Sequence, residues 1–229
     1  MKVLASDFDE TIYYENDLEK TKKNVEQIRK FISYGNIFCI ITGRNYTDLK
    51  QFLNRFDIPY SYLVCEDGAK IFNNMDYCID TVLLERKEVE ALVSIIEDYS
   101  WNYYLDDGYN QTMNYDDCVK IVIECTVEDE KKRIVEIIQE KIPVHVYASR
   151  SHINIIHRSV NKEKALKRLM NLEEIDYHSI YVIGDNDNDY EMLKNFQGAV
   201  MEKHHSKLDE LKKVEYRTLK DYIEELMEH

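Results

Sequence analysis

Short, uniformly apolar runs alternate with longer amphipathic ones over the first third of the chain. Lys2 to Ser6 is apolar and breaks into charge at Asp7. A helical period follows from Leu18 to Tyr34, with Val25, Ile28 and Ile32 on one face and Gly35 placed to cap its end. "IFCII" (Ile37 to Ile41) is too short for a helix and is broken by Thr42-Gly43-Arg44. A second helix is predicted from Tyr46 to Phe56, stopped ahead of Pro59, and it leads into "YLVC" at Tyr62 to Cys65. Continuous apolar strands separated by helices predict a parallel sheet covered on both faces. The same grammar returns late in the chain: a helix over 162–171, the strand "SIYVI" at Ser179 to Ile183, and a helix from about Asn188.

The middle of the chain follows another pattern. The residues predict a helix from Glu85 to Tyr99, a hairpin about Asp107-Gly108, a strand from Val119 to Cys125, a helix from Glu128 to Lys141, and two strands flanking Arg150-Ser151. Helices alternating with strand pairs suit an antiparallel sheet with helices on one face. Trp101, Tyr103 and Leu105 alternate as the helix-packed face of that sheet, a better reading than a sugar-stacking platform. The expected organisation is therefore an α/β core of residues 1–79 and 158–229 carrying an inserted α+β domain over 80–157. The charged stretch "EKHHSKLDELKK" reads as a solvated helix and its approach.

Composition narrows the partners. Among 229 residues, 44 acidic against 30 basic side chains give a net charge of −14, which repels nucleic-acid phosphates and anionic lipid surfaces. No apolar run approaches the roughly 18 to 20 residues needed to cross a bilayer, and Asp7 arrives too early for a signal-peptide core. A soluble cytoplasmic protein, monomeric or weakly self-associating, is expected. The five cysteines are odd in number and nowhere in C-x-x-C spacing, so neither a disulfide framework nor a zinc site is indicated.

The chemistry collects at strand ends. In an open parallel sheet ligands bind beyond the carboxyl ends of the strands, and Asp7, Thr42 and Asp185 each lie just past one. Asp7 and Asp9, two apart in extended chain, are expected to point together while Phe8 points into the core; Asp185 and Asp189 add negative charge. "GDNDNDYEML" resembles a calcium loop at first sight, yet counting from Asp185 puts Tyr190 and Phe196 where the turn glycine and closing glutamate belong. Starting at Asp187 puts Met192 and Gly198 there and does no better. Few carboxylates plus waters suit Mg²⁺, which would offset their repulsion of a phosphate dianion and permit attack by an aspartate. Phosphoryl transfer through an aspartyl-phosphate is the expected reaction.

"DFDET" at 7–11, "TGR" at 42–44, "NKEKAL" at 161–166 and "GDNDND" at 184–189 together resemble the four ordered motifs of the haloacid dehalogenase superfamily, specifically its Cof-like phosphatases. The insertion also falls where that family carries its C2-type cap. The resemblance covers essentially the whole chain, and it implies a Rossmann-like core with an inserted α+β cap. It implies Asp7 as nucleophile and metal ligand, and Asp9 as the acid and base that also offers its backbone carbonyl to the metal. Thr42 and Lys162 would hold the transferring phosphoryl group, and Asp185 and Asp189 would complete the metal site. Gly43, Arg44 and Asn188 join Thr42 and Lys162 as substrate contacts; Asn188 doubles as the candidate cap of an N-x-x-E box with Glu191. The family most often has Gly where this chain has Glu10, and Gly commonly follows the lysine where this chain has Glu163.

A phosphatase of small phosphorylated metabolites, chiefly sugar phosphates, is the leading reading. A phosphomutase of the same superfamily, or a non-catalytic metal- or phosphometabolite-binding protein on the same scaffold, are the alternatives. Arg150 and His152, at a predicted strand turn, are weaker candidates for substrate contact.

Overall fold

The computed structural model describes residues 1–149 and 151–228. The first part of the chain forms β1 (Val3–Asp7), α1 (Leu18–Ser33), β2 (Ile37–Ile41), α2 (Tyr46–Phe56), β3 (Tyr62–Cys65), β4 (Lys70–Asn73) and β5 (Cys78–Thr81). The middle forms α3 (Arg86–Asp98), β6 (Tyr103–Asp106), β7 (Gln111–Thr112), β8 (Lys120–Glu124), α4 (Glu128–Lys141), β9 (His145–Ala148) and β10 (His152–Ile156). Then come α5 (Lys162–Leu172), β11 (Ile180–Gly184), α6 (Tyr190–Asn195), β12 (Gln197–Met201), β13 (Val214–Tyr216) and α7 (Leu219–Glu228).

The first sheet has the order β13-β12-β11-β1-β2-β3-β4-β5. It is parallel from β13 to β3 and closes with the antiparallel pairs β3–β4 and β4–β5. Alternation along each strand sends side chains to two separate cores. Leu4, Phe38, Ile40 and Leu63 pack with residues of α1, α2 and α7, while Val3, Ala5, Cys39, Ile41, Val64 and Val182 pack with α5 and α6. Both faces are covered, which is why β1, β2 and β11 read as unbroken apolar runs. Strand β5 runs across residue 80, so the chain leaves this sheet only after Thr81.

The second sheet, β7-β6-β8-β10-β9, is antiparallel throughout. Ile121, Ile123, Ile153, Ile155 and Leu105, with the half-buried Trp101 and Tyr103, pack with Val89, Leu92, Ile134 and Ile138 of α3 and α4. The opposite residues of the same strands, Tyr104, Asp106, Lys120, Val122, His152 and Asn154, carry no helix and face the first sheet across a cleft. A sheet with helices on one face alone leaves its other face free to roof a site.

The sequence-based elements differ from the structure at the C-terminal side. The segment after β11 begins as a 3-10 turn, Asp187–Asp189, before α6. Its cap is Asn186, which accepts from the Asp187 N–H and forms a box with Asp189; Asn188 is not the cap. The box expected between Asn188 and Glu191 is displaced because the turn tightens two residues earlier. The stretch expected as a solvated helix contains the 3-10 segment Ser206–Leu211, flanked by β12 and the edge strand β13.

Between β3 and β4 the backbone takes three successive positive φ values, at Glu66 (54°), Asp67 (53°) and Gly68 (112°). Only the last demands glycine outright. A Cβ on Gly68 would lie 2.7 Å from both the Asn161 carbonyl oxygen and Ala165 Cβ, so this turn is seated directly on the start of α5. Gly68→Ala is expected to cost about 2 kcal/mol or more of unfolding free energy, measured by urea denaturation. A cost within about 0.5 kcal/mol would mean that the turn is not tied to the helix.

Candidate active site

Strand β1 lies where the strand order reverses: the chain moves one way through β2 and β3 and the other way through β11, β12 and β13. A crevice must open there, beyond the carboxyl ends of β1, β2 and β11. The last residue of β1, Asp7, and the residues that follow β2 and β11, Thr42 and Asp185, line one cleft of about 680 Å³.

On the crevice floor Lys162, 1% exposed, donates to Asp7 Oδ1 at 2.5 Å and to Asp189 Oδ1 at 2.6 Å. Burial works against the lysine's charge, but Asp189 and Asp7 outweigh it and raise its pKa. Burial pushes Asp7 well above the usual carboxylate range; Lys162 opposes this, and Asp189 and Asp185 add to it. Asp185 is pushed up to about 7, first by burial and then by Asp189. Carboxylate oxygens of Asp7, Asp185 and Asp189 all lie within 4.8 Å of one another. Three acids this close, two of them with raised pKa values, form a donor set that fits a hard divalent cation.

The three acids differ in what they still have to offer. Both oxygens of Asp189 are engaged: Oδ1 by Lys162, Oδ2 by the Asp185 and Asn186 N–H groups at 3.0 Å each. This fold-back requires Gly184, where a Cβ would meet the Asp189 carboxylate at 2.4 Å. Asp185 Oδ1 accepts from the Thr11 hydroxyl at 3.3 Å, and the second oxygen of Asp7 is free of Lys162. Asp7 and Asp185 therefore present the open lone pairs, and Asp189 positions the others.

Asp9 lines the same cleft but stands apart from this group. The turn after β1 puts Glu10 in the left-handed region (φ 57°), the position at which the resemblance usually has glycine. Asp9 turns its carboxylate to Arg44, whose Nε and Nη2 reach Oδ2 and Oδ1 at 2.8 Å each. Arg44 also pairs with Asp48 and lies over the Phe52 ring, 4.4 Å from its centroid. The carboxylates expected to pair at the floor thus diverge, because β1 ends at Asp7 and a guanidinium fork holds the second one aside. Thr42 is buried, and its Oγ accepts the Arg44 N–H at 3.2 Å, leaving its own hydroxyl hydrogen to donate. Glu163, 7% exposed, pairs with Lys167 on the same helix and leaves Lys162 undisturbed.

Several cleft residues escaped the sequence reading. Glu66 and Asp67 follow β3 just as Thr42 follows β2, and the two loops are laced together: Glu66 N–H donates to the Arg44 carbonyl and Asp67 N–H to that of Thr42. Asp67 accepts from the Tyr147 hydroxyl of the roof and, at 2.8 Å, from the Asn188 amide. Lys120, also on the roof, pairs with Glu66 and donates to the Gly43 carbonyl at 3.1 Å. Burial pushes Glu66 up to about 7 against the pull of Lys120. The available signal was the strand-end rule itself, applied at Cys65 as at Ile41. His152 lines the roof of the cleft; Arg150 lies outside the described residues.

With this geometry the comparisons with known proteins agree. The sequence model of the haloacid dehalogenase-like hydrolases matches residues 4–117 and 104–217, and the chain belongs to that family. In structure, a candidate HAD/Cof-like hydrolase from Plasmodium vivax superposes with a TM-score of 0.86 at 16% identity, covering 100% of this chain and 96% of that one. A sugar phosphatase of haloacid dehalogenase subclass IIB superposes at 0.77 with 17% identity, covering 100% and 98%. In sequence, a candidate phosphatase of Buchnera aphidicola subsp. Baizongia pistaciae is 24% identical over 234 residues, covering 89% of this chain and 87% of that protein. Among the described residues no helix is long and apolar enough to cross a membrane.

The raised acids have a pH consequence. An acid whose folded pKa lies above its unfolded one stabilises the cation-free fold at low pH and loses that contribution as pH rises, here from about 4 through about 7 for Asp185. A divalent cation binds the ionised form, so the Tm gained on adding Mg²⁺ or Mn²⁺ is expected to be larger at pH 8 than at pH 5.5. Equal gains in a thermal melt at both pH values would place the cation elsewhere.

Proposed function

We propose that the protein is a Mg²⁺-dependent phosphatase of small phosphorylated metabolites, sugar phosphates foremost, acting through an aspartyl-phosphate on Asp7. The observation that carries this reading is the buried Lys162 clamped between Asp7 and Asp189, with Asp185 beside them. Lys162 donates to Asp7 Oδ1 and fixes the carboxylate, so that Oδ1 attacks phosphorus through a lone pair the lysine does not occupy while the other oxygen is left to the cation. The bond from phosphorus to the leaving alcohol oxygen breaks as the bond to Asp7 forms.

Asp9 has the role of donating a proton to that leaving oxygen, then accepting one from the water that attacks the aspartyl-phosphate and releases inorganic phosphate. In the structure both Asp9 oxygens sit in the Arg44 fork. A proton transfer at Asp9 therefore requires the fork to release at least one of them. The Thr42 hydroxyl and the Lys162 ammonium are placed to stabilise charge on the transferring group, with Gly43, Arg44 and Asn188 around them. Mg²⁺, held by the open oxygens of Asp7 and Asp185 and the backbone carbonyl of Asp9, would neutralise the charge that otherwise repels a phosphate dianion. Asp189 serves this shell by fixing Lys162 and the Asp185 loop. Core residues 1–79 and 158–229 supply the phosphoryl site in this reading, and the inserted segment supplies the lid that excludes water.

The test is hydrolysis of an aryl phosphate and a panel of phosphate esters with and without Mg²⁺. Asp7→Asn is expected to lose turnover entirely, and Asp9→Asn to keep cation and phosphate binding while losing about 10²- to 10⁴-fold in kcat. Absence of Mg²⁺-dependent turnover above the Asp7→Asn background would end the phosphatase reading. Loss of cation binding in Asp9→Asn would reassign that residue.

A further inference from the structure

Beyond the phosphoryl site the cleft has a second wall, built from the β3–β4 turn below and the helix-free face of the second sheet above. Most of its charged groups are committed. Asp67 is saturated by Tyr147 and Asn188. Asp106 accepts from the Gly108 N–H at 2.7 Å and the Asn45 amide at 3.1 Å. Lys120 is spent on Glu66 and the Gly43 carbonyl. Two buried acceptors in the cleft stand without a hydrogen-bond partner: Asn188 Oδ1, beside the phosphoryl site, and, within this wall, Glu66, which is 0% exposed, whose Oε2 meets the Lys120 ammonium and whose Oε1 has no partner among the described residues. A buried carboxylate oxygen left without a donor is costly, and it is tolerated where a ligand supplies that donor.

The chemistry of the donor follows from the surrounding charge. Glu66, Asp67 and Asp106 outnumber Lys120, so the wall repels a second anionic group. The donor that fits is therefore one without negative charge, such as a sugar or polyol hydroxyl, and Asn154 in the same wall offers an amide to further hydroxyls.

We infer that Glu66 is the specificity-determining residue of the cleft: its free Oε1 accepts a hydroxyl hydrogen of the leaving group, selecting uncharged polyhydroxylated alcohols over those bearing a second phosphate or a carboxylate. The inference rests on the phosphatase reading above and deepens it. Neutral sugar and polyol monophosphates are the preferred substrates, and sugar bisphosphates and phosphorylated sugar acids are rejected.

The experiment compares kcat/KM for sorbitol 6-phosphate with that for 6-phosphogluconate, which keeps the chain length and replaces one terminal alcohol by a carboxylate, and with an aryl phosphate as reference. Wild type is expected to favour sorbitol 6-phosphate over 6-phosphogluconate by about tenfold or more. Glu66→Gln, which preserves the shape of the side chain, is expected to narrow that ratio severalfold, mainly through KM. Because Glu66 is buried, Asn154→Asp provides an independent variant in which an added charge on the roof widens the ratio. Failure of the aryl phosphate to turn over with Mg²⁺ would remove the phosphatase reading and this inference with it. Aryl phosphate turnover with no wild-type preference for the polyol ester, or a preference unmoved in folded Glu66→Gln and in Asn154→Asp, would overturn the inference alone.

Discussion

An ammonium group buried between two carboxylates governs the architecture of this crevice. Lys162 is nearly inaccessible, as is Asp189, and Asp7 is little more open. Removing such charges from water costs several kcal/mol per ion, and the arrangement holds only because each is met at close range by its opposite. Much of the surrounding structure serves that meeting. The reversal of strand order at β1 opens the space, Gly68 lets the β3–β4 turn sit against the start of α5 and so places Lys162, and Gly184 lets Asp189 fold back beneath it. Three acids around one lysine leave negative charge in excess, and that excess gives a divalent cation its hold.

The two sheets divide the chemistry between them. The first supplies the floor, where the groups that touch phosphorus converge; the second supplies a roof whose residues alternate with its own hydrophobic core. Besides an apolar seam in which Ala69 packs with Val119 and Ile156, and Tyr109 with Phe72 and Tyr46, specific polar contacts join them: Asn45 with Asp106, Lys120 with Gly43 and Glu66, Tyr147 with Asp67, and the Tyr46 N–H with the Gly108 carbonyl. Several reach the "TGR" loop or the turn laced to it, so the elements that close the cleft are bonded to the elements that line its floor. The cleft-facing side chains of the roof thus meet the floor through a few hydrogen bonds, a geometry suited to changing leaving-group preference while the floor is retained.

What was legible in the sequence follows from burial. A parallel strand covered on both faces has to be apolar throughout, so β1, β2, β3 and β11 announce their ends, and with them Asp7, Thr42 and Asp185. Elsewhere several residues met the same local rule. Within "GDNDND" more than one side chain is able to cap a helix, and only the backbone decides that Asn186 does so, leaving Asn188 to bond Asp67 across the cleft. Glu66 and Asp67 stood at a strand end as plainly as Thr42, but their importance depends on Lys120 and Tyr147, far away in the chain, and no local pattern reports such a pairing. The strands β4, β5, β12 and β13 are short and lie toward the sheet edges, where partial exposure blurs the apolar signal.

The acid pair at the start of the chain shows how a few dihedral angles separate two equal side chains. Asp7 and Asp9 are the same residue two positions apart, and alternation alone would set them side by side. The strand ends at Asp7, and the chain turns just beyond Asp9, with Glu10 in the left-handed region. Asp7 remains on the floor, fixed by Lys162 among other acids, while Asp9 is carried to the wall, where Arg44 holds both its oxygens in a fork anchored by Asp48 and the Phe52 ring. The proposed nucleophile and proton carrier would need such different settings, one immobile beside phosphorus and the other able to turn toward the leaving oxygen. The fork that holds Asp9 belongs to the loop on which Lys120 of the roof also rests, so Asp9 and the roof meet through the same three residues, Thr42 to Arg44.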